Sequence, residues 1–180
     1  MEGRVIDCCS LINLYTGWRG LKELASLGAT WHVCEAVLGE VQYTREHEDE
    51  GAIRDVPIEV GRFIDAGILT LAKVQDDKEM EDFVSFAMEV DDGEAQAISI
   101  ALNRGYALLT DDHKAARLAM SADVGVTVIT TAEVLRRWGA LHRANAERLP
   151  GIVRRISELA RFSPRVDSSD REWWLKLYKA

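Results

Sequence analysis

Apolar positions recur along the chain in two alternating rhythms. Short β-like runs occur at Arg4-Val5-Ile6, at Ile68 to Leu71 after the turn signal Ala66-Gly67, at Tyr106 to Leu109 and at Val126 to Ile129. Between and after them the spacing turns helical. The pattern over Cys8 to Tyr15 sets Leu11, Leu14 and Tyr15 on one face, and helical periodicity is also read over Trp18–Leu27, Val33–Thr44, Asp82–Val90, Glu94–Leu102, Lys114–Ala122 and Thr131–Leu141. Strand and helix alternate with short connections, which predicts an α/β fold: three layers, with a central, mainly parallel sheet covered by helices on both faces. There is no internal repeat and no low-complexity segment.

The tail follows a different pattern. Ala146 to Phe162 reads as a basic amphipathic helix, Ser163-Pro164 interrupts it, and Trp173-Trp174-Leu175-Lys176-Leu177-Tyr178 follows. Residues 1–142 are therefore expected to form the α/β unit, and residues 143–180 a basic, Trp-rich helical extension packed on that domain or on a partner. A homodimer is one such partner, because aromatic anchors are enriched at interfaces.

With 180 residues and 47% hydrophobic content the chain can bury a core of ordinary size. The apolar runs fall short of the roughly 18 residues of a membrane span, and the first residues lack a secretory pattern, so a cytoplasmic protein without membrane attachment is expected. Cys8, Cys9 and Cys34 show no ligand spacing, which argues against disulfides and structural zinc; Cys8 and Cys9 read as packing residues of the first helix. The formal charge of −8 hides an asymmetry. Residues 1–112 carry 9 basic and 23 acidic side chains, whereas residues 113–165 carry 10 and 4. Such a division can separate a cation-binding pocket from an anion-binding surface.

In open parallel sheets ligands bind beyond the carboxyl ends of the strands, and acidic residues fall at such places. Asp7 ends the first strand, Asp111-Asp112 follow the Tyr106 strand, and Asp91-Asp92-Gly93-Glu94 opens a helix. Each has a local explanation as a helix cap, and Asp91 with Glu94 has capping-box spacing. Glu40 differs, since helical spacing sets it near the apolar stripe of Val33, Val37 and Val41, where an interior carboxylate needs a compensating cation or donors. One pocket holding one or two divalent cations accounts for all four sites together. Oxygen ligands without Cys or His favour Mg²⁺ or Mn²⁺.

The segments Val5-Ile6-Asp7-Cys8-Cys9-Ser10-Leu11, Ala36-Val37-Leu38-Gly39-Glu40, Asp91-Asp92-Gly93-Glu94-Ala95-Gln96-Ala97-Ile98 and Leu108-Leu109-Thr110-Asp111-Asp112 resemble, in order and spacing, the motifs of a PIN domain, of the Asp-x-Gly-Glu-Ala branch near the toxin nucleases of VapC type. The resemblance covers about residues 3 to 137. It implies a Mg²⁺- or Mn²⁺-dependent endoribonuclease that leaves a 5′-phosphate and a 3′-hydroxyl. By position it makes Asp7, Glu40, Glu94 and Asp112 the metal-holding, catalytic quartet, with Asp111 the rival to Asp112 and with Ser10 and Thr110 supporting. The Cys8-Cys9 pair departs from the small or hydroxyl residues usual after the first Asp. RNA, as substrate, would be gripped by basic residues outside the acidic pocket, with Arg117, Arg136 and Arg137 as candidates. A toxin would also have an antitoxin partner. The alternative is a non-catalytic PIN-like module that binds a divalent cation or a basic protein.

Overall fold

A computed structural model describes residues 2–47, 52–121 and 123–180. Five parallel strands form the central sheet: β1 (Glu2–Ile6), β2 (Ala29–Cys34), and three more named here as β5 (Thr70–Ala72), β6 (Ala107–Leu109) and β7 (Val128–Ile129). Their order is β5-β2-β1-β6-β7, and a separate antiparallel pair is made by β3 (Tyr43–His47) and β4 (Ile53–Pro57). Val5 and Ile6 at the centre are wholly buried, as expected for a parallel strand covered on both faces. The chain winds from β1 to β2 and β5 on one side, then returns to place β6 and β7 on the other. The reversal lies between β1 and β6, the position at which α/β sheets open a crevice.

Helices fill the connections. They are α1 (Cys8–Trp18), α2 (Glu35–Glu40), α3 (Val60–Asp65), α4 (Asp77–Phe86), α5 (Asp92–Arg104), α6 (His113–Ala119), α7 (Thr131–Leu141), α8 (Arg143–Arg155) and α9 (Arg171–Lys179). The small residues of α5, among them Ala95, Ala97, Ser99 and Ala101, are buried and let this helix lie close to β1, β2 and β6. On α1, a side chain at Gly17 would meet Ile152 and Ile156 at 2.9 and 2.7 Å, so this glycine permits the close approach of α8. α8 runs into a π-helical turn (Ile156–Ala160) that closes on Arg161 in the left-handed conformation. Trp174 of α9 is fully buried, its indole N–H donating to Ser157 Oγ at 3.0 Å and its ring edge-on to Phe162. Among the described residues no helix is long and apolar enough to cross a membrane.

The three-layer α/β/α expectation matches this architecture, with local corrections. Val33–Thr44 is not a helix: β2 runs to Cys34, α2 occupies only Glu35–Glu40, and β3 begins at Tyr43. The β-branched and aromatic content of Ala29-Thr30-Trp31-His32-Val33-Cys34 suits a strand, and pairing with both β1 and β5 prevails over the helical spacing of three valines. Trp18 closes α1, and Lys22–Leu27 is a 3₁₀ segment. The helix read over Asp82–Val90 starts earlier and ends at Phe86, and the one read over Lys114–Ala122 ends at Ala119, with Ala122 outside the described residues.

Candidate active site

Asp7 leaves the end of β1 as the N-cap of α1. Its Oδ1 accepts from the Ser10 backbone N–H at 2.7 Å and its Oδ2 from the Thr110 hydroxyl at 2.5 Å. Thr110 follows β6, so this bond spans the crevice at the sheet reversal. The carboxyl is 1% exposed. Burial, and next the charge of Asp111, push its pKa up to about 7 against the lowering effect of the Thr110 and Ser10 donors.

Asp111 and Asp112 take different roles. Asp111 is encircled by donors: Asn13 Nδ2 at 2.9 Å, Ser10 Oγ at 3.3 Å, the Thr131 N–H at 3.0 Å and the Thr131 hydroxyl. It thereby ties α1, the end of β6 and the start of α7 together. Burial raises its pKa while these donors pull the other way. Asp112 caps α6, its Oδ1 accepting from the Lys114 and Ala115 N–H groups at 2.7 and 2.8 Å. Among the described residues its other oxygen takes no hydrogen bond.

Glu94 lies in the first turn of α5, whose N-cap Asp91 accepts from the Glu94 N–H at 2.9 Å. Its carboxylate has no hydrogen-bond donor among the described residues. Burial first, then the charges of Asp112, Asp91 and Asp7, lift its pKa to about 7.

Glu40 corrects the sequence reading. It stands at the exposed end of α2, not inside a long helix on an apolar stripe. Its Oε1 accepts from the Gly93 N–H at 2.9 Å, so it meets the first turn of α5 beside Glu94. Burial and the charge of Asp91 raise its pKa. Gln96 holds the two helices in register, its Oε1 accepting from the Ala36 N–H at 2.9 Å. A Cβ on Gly93 would come 2.4 Å from Glu40 Oε2. Gly93→Ala is therefore expected to expel Glu40 while strengthening the helix, whose propensity gains up to about 1 kcal/mol. If Glu40 serves the site, activity should fall on the order of 10- to 100-fold with the melting temperature unchanged or higher; thermal melts beside cleavage rates check this.

Cys8 is half-buried, and Cys9 is exposed rather than a packing residue, lining a groove with Asp111 and Asp112. Burial and the surrounding carboxylates push both thiols up to about 12, so they stay protonated. Of the basic candidates, Arg117 and Arg137 are exposed on α6 and α7. Arg136 is engaged elsewhere, donating to Asp170 at 2.5 Å with its guanidinium 4.7 Å from the Trp173 ring centroid. Asn13 and Thr131 join the site without having stood out in the sequence, whereas Gly93 belongs to the Asp91-Asp92-Gly93-Glu94 motif read there. The one signal for Asn13 is its place one helical turn after Ser10 on α1.

Among the described residues Asp7, Glu40, Glu94 and Asp112 form no ion pair, and no three His, Cys, Asp or Glu side chains stand ready-made as a metal cage. The donor set nevertheless suits a hard divalent cation: carboxylate oxygens alone, several with free lone pairs, two of the groups with pKa values lifted by burial and mutual repulsion. Binding would require side-chain rotation, Glu40 being held by Gly93.

A family model described as a PIN domain matches residues 4–158 of the chain. No curated protein and no solved structure matches it.

Proposed function

The chain belongs to the PIN-domain family, a nuclease-type fold, and from that premise we propose that it is a Mg²⁺- or Mn²⁺-dependent endoribonuclease. The observation that carries the reading is the unneutralised group of carboxylates from β1, α5 and the end of β6 at the sheet reversal, with Glu40 at its edge. Asp7, Glu40, Glu94 and Asp112 would hold the cation. Asp112 is preferred to Asp111 because one oxygen of Asp112 is open, whereas Asp111 is saturated by four donors that make it a brace.

When bound, a divalent cation lowers the pKa of an attacking water and stabilises the charge that develops on the phosphodiester. The protein's own part is positional. Thr110 and the Ser10 N–H fix both oxygens of Asp7, the Gly93 N–H holds Glu40, and Asp91 sets the first turn of α5 from which Glu94 projects. A protein partner that placed a basic side chain among these carboxylates would silence the site, the arrangement that a toxin with its antitoxin requires.

The test is cleavage of end-labelled RNAs of varied sequence by the purified chain. Cutting with Mn²⁺ that stops on chelation is expected, with 5′-phosphate and 3′-hydroxyl ends. Calorimetric Mn²⁺ binding without cutting of any RNA would replace this reading with the non-catalytic module.

A further inference from the structure

Beside the carboxylates, on the Glu40 side, lies an open groove of about 490 Å³ whose walls include Ile12, Glu40, Tyr43, Arg45, Leu159 and Arg161. Among the described lining residues Glu40 is the one acid, and it marks the end that meets the first turn of α5. From there the groove becomes basic and aromatic. Tyr43 is 49% exposed. Arg161 is exposed, and its side chain makes no hydrogen bond or ion pair among the described residues. Arg45 touches Asp55 only at 3.8 Å, between partly exposed groups, a contact easily exchanged for another anion. Arg161 also borders the groove formed by Cys9, Asn13, Asp111 and Asp112, so it stands between the two openings that flank α1.

Past Thr44 and Arg45 a smaller recess holds Arg19 and Arg155, with Glu46 the one acid among its described lining residues. Arg155 donates to the Gly17 carbonyl at 3.0 Å, and burial, then Arg19 and Arg148, push its pKa down. Arg19 and Arg161 are the two non-glycine residues with positive φ among the described residues, at 61° and 57°. Glycine or asparagine suits that conformation better, and a non-glycine residue there carries a backbone cost that commonly accompanies function. Both of these costly positions carry guanidinium groups, Arg161 bordering the groove and Arg19 the recess.

We propose that the groove is the path of a single RNA strand leaving the carboxylate site, with Arg161 and Arg45 on its phosphates and Tyr43 stacked on a base. Charge alone would suit any polyanion; an exposed aromatic ring that shares a groove with guanidinium groups is the combination that grips single strands. The path rests on the nuclease reading, and it moves the grip away from Arg136, which is committed to Asp170 and Trp173.

The experiment measures binding of a fluorescein-labelled single-stranded RNA by anisotropy, in EDTA so that no cleavage intervenes, across a series of salt concentrations. Arg161→Asn removes the charge yet suits a left-handed backbone, so the fold should persist. Loss of one phosphate contact should lower the slope of log affinity against log salt by about 0.7, and Arg161→Lys should restore it. Tyr43→Ala should weaken binding on the order of tenfold with the slope unchanged. Lys78→Ala, on α4 away from the groove, should bind as wild type does. An unchanged slope in Arg161→Asn, with wild type still binding and cutting RNA, overturns the path and leaves the nuclease reading standing. Wild type that neither binds nor cuts RNA removes both.

Discussion

Asp7→Asn is expected to abolish RNA cleavage while leaving the protein folded. Asparagine has nearly the same shape, and its Oδ1 can still accept from the Ser10 N–H. Its amide would face the Thr110 hydroxyl as a donor, and that oxygen can accept. The hydrogen-bond scaffold around the end of β1 therefore survives with one bond reversed. What disappears is the negative charge at the deepest carboxylate, 1% exposed, and with it the oxygen that a divalent cation would meet at the head of the crevice. Losing several kcal/mol of transition-state stabilisation corresponds to a rate lower by about a thousandfold or more. The measurement is the single-turnover cleavage rate beside circular dichroism and a thermal melt. A folded variant that retains a tenth of wild-type activity would remove Asp7 from the chemistry.

The same substitution exposes the second large effect, a stability that depends on pH and cation together. Asp7 and Glu94 have pKa values of about 7 in the folded chain, against 3.8 and 4.5 ordinarily. A raised carboxyl binds its proton more tightly in the folded state than in the unfolded one, so stability is lost as pH climbs from the ordinary value towards the raised one. Metal-free protein should therefore melt at higher temperature near pH 5 than at pH 8. For Asp7, which is wholly buried, the difference across that interval is roughly 2–3 kcal/mol.

Other groups pull the opposite way. Burial lowers the pKa of His32, which costs stability below the imidazole range, and the Arg104 partner depresses Glu79, which matters only in stronger acid. Subtracting the Asp7→Asn profile from the wild-type profile cancels both contributions and leaves that of Asp7 together with its coupling to Glu94. At pH 8, Mn²⁺ at a hundred times its dissociation constant should add about 2.7 kcal/mol to wild type and far less to the variant. A wild-type melting temperature that is flat or rising between pH 5 and 8 relative to the variant would contradict the environment described for Asp7.

The parts of this protein legible in its sequence are those where local pattern and global placement agree. Val5-Ile6-Asp7 reads as a buried strand ending in a helix cap, and it is one. The run ending at Leu109 likewise reads as a buried strand, with the cap of the next helix at Asp112. The convergence of these two ends is not local, and motif order anticipated it where hydrophobic spacing could not. Glu40 shows the limit of periodicity: three valines at helical spacing concealed a strand, a six-residue helix and another strand, because β1 and β5 stabilise β2 from either side. The distinction between Asp111 and Asp112 was hidden for a related reason. Adjacent acids look alike in sequence, yet one meets Thr131 and Asn13 from distant helices and the other meets only its own helix. Arg136 appeared free because Asp170, its partner, lies 34 residues further on in a tail whose packing no pattern specifies.

The placement of β1 in the middle of the sheet also bears on synthesis. This strand is among the first made, yet its neighbour β6 emerges about a hundred residues later, and Thr131, which anchors Asp111, later still. Contacts so distant along the chain form slowly. On the ribosome the end of β1 therefore waits for its partners, and the carboxylate site is complete only once most of the polypeptide is free to close around it.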